Sequence, residues 1–216
     1  MGQGHQTDTD LHGSAPDSHA AALLLIDVVN PFDFPEAEQL LAFARPAAER
    51  IAALARRARE AGVPVVYVND NFGRWRSDFR QVVEACEAQG SKGRDVARLL
   101  RPEPQDYFVL KPKHTGFYAS ALELLLHKLR TRQVVLTGFA GNICVLFTAN
   151  DAYMRDLQLF VPEDCCASNT AHDNAHALVQ MRTLLKAETA PAAELEFGAQ
   201  GVRRLHAPSP SRRGSG

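Results

Sequence analysis

Short apolar runs that alternate with helical segments are the feature that most constrains this chain. Residues 20–26 form an unbroken apolar run, which is typical of a strand buried on both faces of a parallel sheet. Strands are predicted by pattern at residues 20–26, 63–68, 107–110, 133–136, 157–161 and about 188–190. Helices are predicted between them at residues 41–61, 119–130, 142–155 and about 171–186, with two short helices within 72–105. The alternation predicts an α/β fold: a three-layer α/β/α, Rossmann-like arrangement whose six-stranded, mostly parallel sheet has helices on both faces.

The length of the chain favours a single domain. Its 216 residues, of which 45% are hydrophobic, can form one sizeable core. Residues 1–18 are polar, and residues 207–216 are rich in Pro, Ser, Arg and Gly, so we expect a disordered arm and tail. The domain is therefore expected to span residues 19–206.

Charge and cysteine use argue against several classes of function. The formal net charge is -1, which indicates neither a nucleic acid nor an anionic membrane as a partner. No apolar run is long enough to span a bilayer, and the first twenty residues lack the pattern of a signal peptide. The four cysteines are not spaced as a disulfide framework or as a structural zinc site. We expect a cytoplasmic protein with a small-molecule substrate and without a metal or cofactor.

Three predicted strands are each followed by a residue capable of chemistry. Asp27 and Lys111 follow the first and third strands, and Cys144 lies where the fourth strand turns into a helix. Because the C-terminal ends of parallel strands share one edge of the sheet, these side chains can converge. The dipole and free N–H groups at a helix N-terminus favour ionisation of a thiol there. The three residues predict a unit in which Asp27 takes the thiol proton, while Lys111 orients Asp27 and stabilises the thiolate.

Each of these residues also has a structural explanation. An Asp after a strand is often a capping residue, a Lys there is often solvated, and a single Cys is often a small buried hydrophobe. Their shared position leaves the catalytic and structural interpretations evenly balanced on the residues alone. A second class of function also stays open, a non-hydrolytic Rossmann-like module for thiol redox chemistry or small-ligand binding. A nucleotide site would need glycines after the first strand, and a redox role would need a resolving cysteine near Cys144.

Three segments resemble the isochorismatase-like cysteine hydrolases, a superfamily that includes nicotinamidases, carbamoylases and ureido-amidohydrolases. They are LLLID at residues 23–27, KPKHTGF at 111–117 and TGFAGNICV at 137–145, in the family order and at family-like separations. The loop DCCAS at residues 164–168 is similar as well. The resemblance extends over residues 20–186.

The resemblance implies a hydrolase with a catalytic triad of Asp27, Lys111 and Cys144. Such an enzyme would cleave an amide, urea or carbamate-type C–N bond of a small molecule through a Cys144 thioester. It also implies a non-proline cis peptide between Phe139 and Ala140, with the N–H groups of Ala140 and Cys144 forming an oxyanion hole. Nicotinamidase-like members bind a metal through an Asp-x-His pattern, and residues 69–76 here contain no histidine. A metal-independent site is therefore expected, and the resemblance implies a homodimer or homotetramer.

The predicted substrate contacts come from loops and strand ends. They are Phe34, Asn69, Trp75, Arg76, Phe117 and Phe139. Trp75 lies between two arginines, which suits closure over an anionic or aromatic substrate or an anchor on the surface. His114 lies close to Lys111 and suits either the pocket or a solvated loop. His172 and His176 have a zinc-compatible spacing, but with no third ligand evident we favour an ordinary helix start.

Overall fold

The computed structural model describes residues 17–73 and 78–205. Within these residues, one six-stranded sheet has the order β3-β2-β1-β4-β5, and β6 pairs with β4 as well. All pairings in the sheet are parallel, which confirms the predicted α/β architecture. Its strands are β1 (Ala21–Ile26), β2 (Val65–Asp70), β3 (Tyr107–Lys111), β4 (Gln133–Phe139), β5 (Gln158–Phe160) and β6 (Cys166–Ala167).

Helices cover both faces of this sheet. They are α1 (Ala37–Glu60), α2 (Phe79–Glu87), α3 (Arg94–Leu99), α4 (Leu122–Lys128), α5 (Leu146–Tyr153) and α6 (Ala171–Thr183). Because successive side chains of a strand point to opposite faces, Leu23 and Leu25 of β1 pack in the core with α1 to α3. Leu24 and Ile26 pack in the second core with α4 to α6. The result is the predicted three-layer arrangement.

The sixth strand is not where the sequence predicted it. Residues 188–190 form no strand, although Glu188 makes an isolated bridge to Phe160. The sixth strand is instead β6, which pairs with the end of β4 through Gly138 and Phe139. A two-residue strand has no periodicity that a sequence pattern can detect.

The sequence also did not predict an antiparallel hairpin of β7 (Leu195–Gly198) and β8 (Gly201–Arg204). Leu195 and Val202 bury this hairpin against the α1 side of the core. Each strand has four residues, too few for a distinct alternation.

Strand β4 continues past the residue at which it was predicted to end. It includes Gly138, which pairs with Ile26 and has a φ of 121°. A Cβ at this position would lie 2.0 Å from the Ile26 carbonyl oxygen. Only glycine therefore allows β4 to approach β1 so closely, beside the residue that follows β1.

Some predictions fall on segments that are not described. The expected disordered arm and tail lie outside the described residues except for residues 17 and 18. In the described part of the chain, no helix is long and apolar enough to cross a membrane.

Candidate active site

The C-terminal edge of the sheet brings Asp27, Lys111 and Cys144 together. Asp27 directly follows β1, Lys111 ends β3, and Cys144 lies in a π-helical turn, Gly141–Val145, between β4 and α5. The Nζ atom of Lys111 lies 2.8 Å from Oδ2 of Asp27 and 3.7 Å from Sγ of Cys144. Because β2 separates β3 from β1, Lys111 has to reach across a strand, which its long side chain allows.

Backbone geometry fixes the Asp27 carboxylate. Asp27 has a φ of 51°, a left-handed conformation that Asp tolerates better than most residues. Its N–H donates to the Val68 carbonyl at 3.0 Å, and its Oδ1 accepts the N–H of Asp70 at 2.6 Å. One carboxylate oxygen is thus held by the backbone of β2 and the other by Lys111.

Lys111 is fully buried. Its ammonium group donates to the Lys113 carbonyl at 3.0 Å and lies 3.9 Å from the carboxylate of Asp70, besides its contact with Asp27. A buried ammonium is tolerated only when it is paired and hydrogen-bonded in this way. The cation is therefore fixed between the carboxylate and the sulfur.

Cys144 is presented by a turn wider than an α-helical one. The N–H of Val145 donates to the Ala140 carbonyl five residues earlier, at 3.2 Å, and the N–H of Ile143 donates to the same oxygen at 3.1 Å. Such π-type turns are frequent at functional sites. The Phe139–Ala140 peptide bond before the turn is cis, which confirms what the resemblance implies. Cys144 is partly exposed, unlike the three other cysteines, which are buried.

Electrostatics favour a protonated thiol in the resting site. Burial raises the pKa of Cys144, the Asp27 carboxylate raises it further, and Lys111 opposes both effects. Burial also raises the pKa of Asp27 against the opposing charge of Lys111. Burial lowers the pKa of Lys111, but Asp27 and Cys144 outweigh burial, so its net shift is upward. The position at a helix N-terminus predicted easy ionisation, whereas burial and the Asp27 carboxylate raise the pKa of the thiol.

Two residues near the sulfur complete its surroundings. The Nδ1 atom of His114 lies 4.0 Å from the Cys144 sulfur, and its ring packs 5.6 Å from that of Phe147. Thr148 is fully buried and donates its hydroxyl to the Cys144 carbonyl at 2.7 Å, while accepting the N–H of Gly116 at 3.0 Å. Thr148 thereby joins the nucleophile helix to the loop after Lys111. No sequence pattern indicated Thr148, although it lies one helical turn after Cys144.

Three of the predicted substrate contacts are buried and have structural roles. Asn69 is 0% exposed. Its side-chain amide accepts the N–H of Val29 at 3.2 Å and donates to the Val29 carbonyl at 2.8 Å. Phe139 is buried in the core on the α1 side. Phe117 is buried in the opposite core, beneath the guanidinium of Arg155. All three side chains are buried, so their contact with a substrate stays a prediction.

The other three predicted substrate contacts stay predictions. Phe34 is half-buried, and its ring packs 6.1 Å from that of Phe32. Trp75 and Arg76 lie outside the described residues.

The described residues do not fit a nicotinamidase-type metal site. After β2, Asp70 accepts the N–H of Phe72 at 2.6 Å, and Asn71 accepts the N–H of Gly73 at 3.0 Å. In residues 17–73 and 78–205, no three His, Cys, Asp or Glu side chains are arranged to hold a metal ion. The rings of His172 and His176 are stacked with centroids 6.4 Å apart.

Comparisons with known proteins show the family to which the chain belongs. The family model of the isochorismatase domain matches residues 21–194. An uncharacterized isochorismatase family protein of Bacillus subtilis, YaaI, is 43% identical over 167 residues, which are 77% of this chain and 91% of that protein. The ureidoacrylate amidohydrolase RutB of Methylorubrum extorquens is 36% identical over 76 residues, only 35% of this chain and 31% of that protein. The structure of N-carbamoylsarcosine amidase from Thermoplasma acidophilum superposes with a TM-score of 0.61 at 27% identity, covering 82% of this chain and 98% of that one. The chain therefore belongs to the isochorismatase family of hydrolases.

Proposed function

We propose that this protein is a cysteine hydrolase that cleaves the C–N bond of a small amide, urea or carbamate through a Cys144 thioester. The observation that carries the proposal is the position of Lys111 Nζ, 2.8 Å from Asp27 and 3.7 Å from the sulfur of a partly exposed cysteine. Related proteins are named as an amidohydrolase and an amidase, which supports amide hydrolysis in general.

The first half of the reaction forms the thioester. Asp27 accepts the thiol proton as the sulfur attacks the carbonyl carbon, so that a C–S bond forms and the C=O electron pair moves to oxygen. The N–H groups of Ala140 and Cys144 hold this oxyanion in our proposal. The C–N bond then breaks, and the nitrogen takes the proton from Asp27 and leaves as ammonia or an amine. Lys111 stays protonated throughout, because its pKa is shifted upward.

The second half of the reaction releases the acid. Asp27, again a carboxylate, removes a proton from water, and the resulting hydroxide attacks the thioester carbonyl. The C–S bond breaks, and the sulfur recovers the proton from Asp27. Burial raises the pKa of Asp27, which helps its carboxyl group to hold the proton between the two transfers.

The substrate reaches the sulfur from its open side. Exposed His114 and Phe147 flank Cys144 there, and we propose that Phe34, Trp75 and Arg76 form further contacts. The reaction as proposed needs neither a cofactor nor a metal. We propose a homodimer or homotetramer in the cytoplasm, where a reducing environment keeps the thiol free.

A screen of small amides, ureas and carbamates with intact-mass detection tests the function. The unaltered protein should form an acyl adduct at Cys144 and release acid, and Cys144→Ala should lose both. Full turnover by Cys144→Ala on any substrate found would refute the mechanism. A specific disulfide at Cys144 after mild peroxide, without an acyl adduct, would instead support the redox alternative.

A further inference from the structure

A chain of hydrogen bonds joins α6 to the turn that carries Cys144. The N–H of Asn142, in that turn, donates to the hydroxyl oxygen of Ser168 at 3.0 Å. The hydroxyl of Ser168 donates to Oδ1 of Asn174 at 3.0 Å. The Nδ2 of Asn174 in turn donates to the carbonyl of Cys166 in β6, at 3.2 Å. Three separate elements are thus connected immediately behind the candidate nucleophile.

The direction of this chain is fixed by chemistry. A backbone carbonyl only accepts hydrogen bonds, so Asn174 must turn its Nδ2 toward Cys166 and its Oδ1 toward Ser168. The Ser168 hydroxyl then has to donate to Oδ1, which leaves its oxygen lone pairs for the N–H of Asn142. Each member has one role, and the chain holds the Gly141–Asn142 peptide in a single orientation.

Close packing reinforces that orientation. A Cβ at Gly141 would lie 2.3 Å from Oδ1 of Asn174 and 3.2 Å from Oγ of Ser168. Ser168 is only 1% exposed, so water does not replace its hydroxyl as a partner. The side chains of Ser168, directly after β6, and of Asn174, in α6, therefore pack closely against the backbone between Ala140 and Cys144.

We propose that Ser168 and Asn174 are positioning residues, which keep the N–H groups of Ala140 and Cys144 directed at the carbonyl oxygen of the substrate. The inference rests on the proposed cysteine hydrolase function. Ser168 accepts the N–H of Asn142, which fixes the orientation of the Gly141–Asn142 peptide between the two oxyanion donors. Neither residue changes the charge around the sulfur, so the effect falls on stabilisation of the oxyanion and leaves the reactivity of the thiol unchanged.

Two reagents separate the stabilisation of the oxyanion from the reactivity of the thiol. Acylation by p-nitrophenyl acetate forms a Cys144 thioester and needs an oxyanion hole, whereas alkylation by iodoacetamide displaces iodide at carbon and needs none. The burst of p-nitrophenolate, minus that of Cys144→Ala, reports acylation. Peptide mass spectrometry at Cys144 reports alkylation.

Ser168→Ala should slow acylation by about 10- to 100-fold, less than the roughly 10²–10³ typical for losing a whole oxyanion donor. Alkylation should change by less than about threefold, since it follows the thiolate fraction. Asn174→Ala should behave alike, and Ser168→Thr, which keeps the hydroxyl, should recover most of the acylation rate. The matched control is Thr170→Ala. It removes the N-cap of α6, in which the Thr170 hydroxyl accepts the N–H of Asp173 at 3.0 Å, and leaves the hydrogen bonds of Ser168 and Asn174 in place. Its ratio of acylation to alkylation should equal that of the unaltered protein.

Equal loss of both rates in Ser168→Ala and Asn174→Ala would mean that the turn has collapsed, and would overturn the proposal. Unchanged rates in both variants would overturn it as well. If either Ser168→Ala or Asn174→Ala does not fold, the rates of the other variant show whether acylation alone, both reactions or neither reaction is slowed. A burst that persists in Cys144→Ala, or no burst in the unaltered protein, would count against the hydrolase function itself and so is distinguishable from failure of this inference.

Discussion

The turn that carries Cys144 is held on two sides by different chemistry. On one side lie the charged groups of Asp27 and Lys111, both buried and 2.8 Å apart. On the other side lie two neutral side chains: Ser168 accepts the N–H of Asn142 in the turn, and Asn174 accepts the hydroxyl of Ser168. The charged side controls when the sulfur ionises, because its groups shift the pKa of the thiol in opposite directions. The neutral side controls where the backbone N–H groups point. Variants on the two sides should therefore fail in different assays.

Replacement of Asp27 should have the largest effect on turnover. Asp27→Asn removes the proton acceptor, and turnover should fall by about 10²–10⁴-fold, the usual contribution of a positioned base. The same change should accelerate alkylation by iodoacetamide, because the Asp27 carboxylate raises the pKa of the thiol and its loss lowers that pKa. Both rates are measured near neutral pH.

Asp70→Asn is the matched control for this variant. It removes a carboxylate that lies 3.9 Å from Lys111 but is one-third exposed and makes a weaker contact with the ammonium. Its turnover should stay within about tenfold of the unaltered protein, as expected for a partly exposed, screened charge. Slower alkylation in Asp27→Asn would contradict the inference that the Asp27 carboxylate raises the pKa of the thiol.

Loss of Lys111 should change alkylation in the opposite direction. The ammonium lowers the pKa of Cys144, so Lys111→Met should raise that pKa and slow alkylation. Removing one member of a buried ion pair also costs about 3–5 kcal/mol of folding free energy near neutral pH. In mild acid the cost should shrink, because a protonated Asp27 has no charge that needs a partner.

Urea unfolding near neutral pH and in mild acid measures the loss of folding free energy in Lys111→Met. Lys113→Met is the matched control, because Lys113 is exposed and contributes its carbonyl to the Lys111 ammonium through the backbone, which the substitution keeps. An equal loss of stability at both pH values would show that lost packing, not the unpaired carboxylate, destabilises the variant.

The charged side was predictable from the sequence, and the neutral side was not. Asp27 and Lys111 stand at the ends of apolar runs, and a parallel sheet brings such ends to one edge whatever their separation along the chain. Ser168 and Asn174 follow no comparable rule. Ser168 follows β6, a two-residue strand without periodicity, and its partner Asn174 lies in α6.

The burial of three predicted substrate contacts was not readable from the sequence for a related reason. An aromatic residue near a strand end suits a pocket wall and a core position equally, and only the packed structure shows which one it occupies. Phe117 and Phe139 lie in the cores on opposite faces of the sheet. Asn69 is polar, yet the loop after Asp27 requires its amide to bond the backbone of Val29. The fold and the charged residues were thus readable from pattern, whereas the roles of the side chains packed around them were not.

Thr148 lies between the two sides and should give the smallest effect. Its hydroxyl donates to the Cys144 carbonyl at 2.7 Å and accepts the N–H of Gly116 at 3.0 Å, so it ties the nucleophile helix to the Lys111 loop. Thr148→Val keeps the shape but leaves the N–H of Gly116 buried without that partner. The free energy of unfolding should fall by about 1–3 kcal/mol, the cost of an unsatisfied buried polar group. Because both charged groups and the Ser168 bond remain, acylation and alkylation should slow together by a similar, small factor. Thr148→Ser, which keeps the hydroxyl, should restore both rates, and a selective loss of acylation in Thr148→Val would place Thr148 with the neutral side instead.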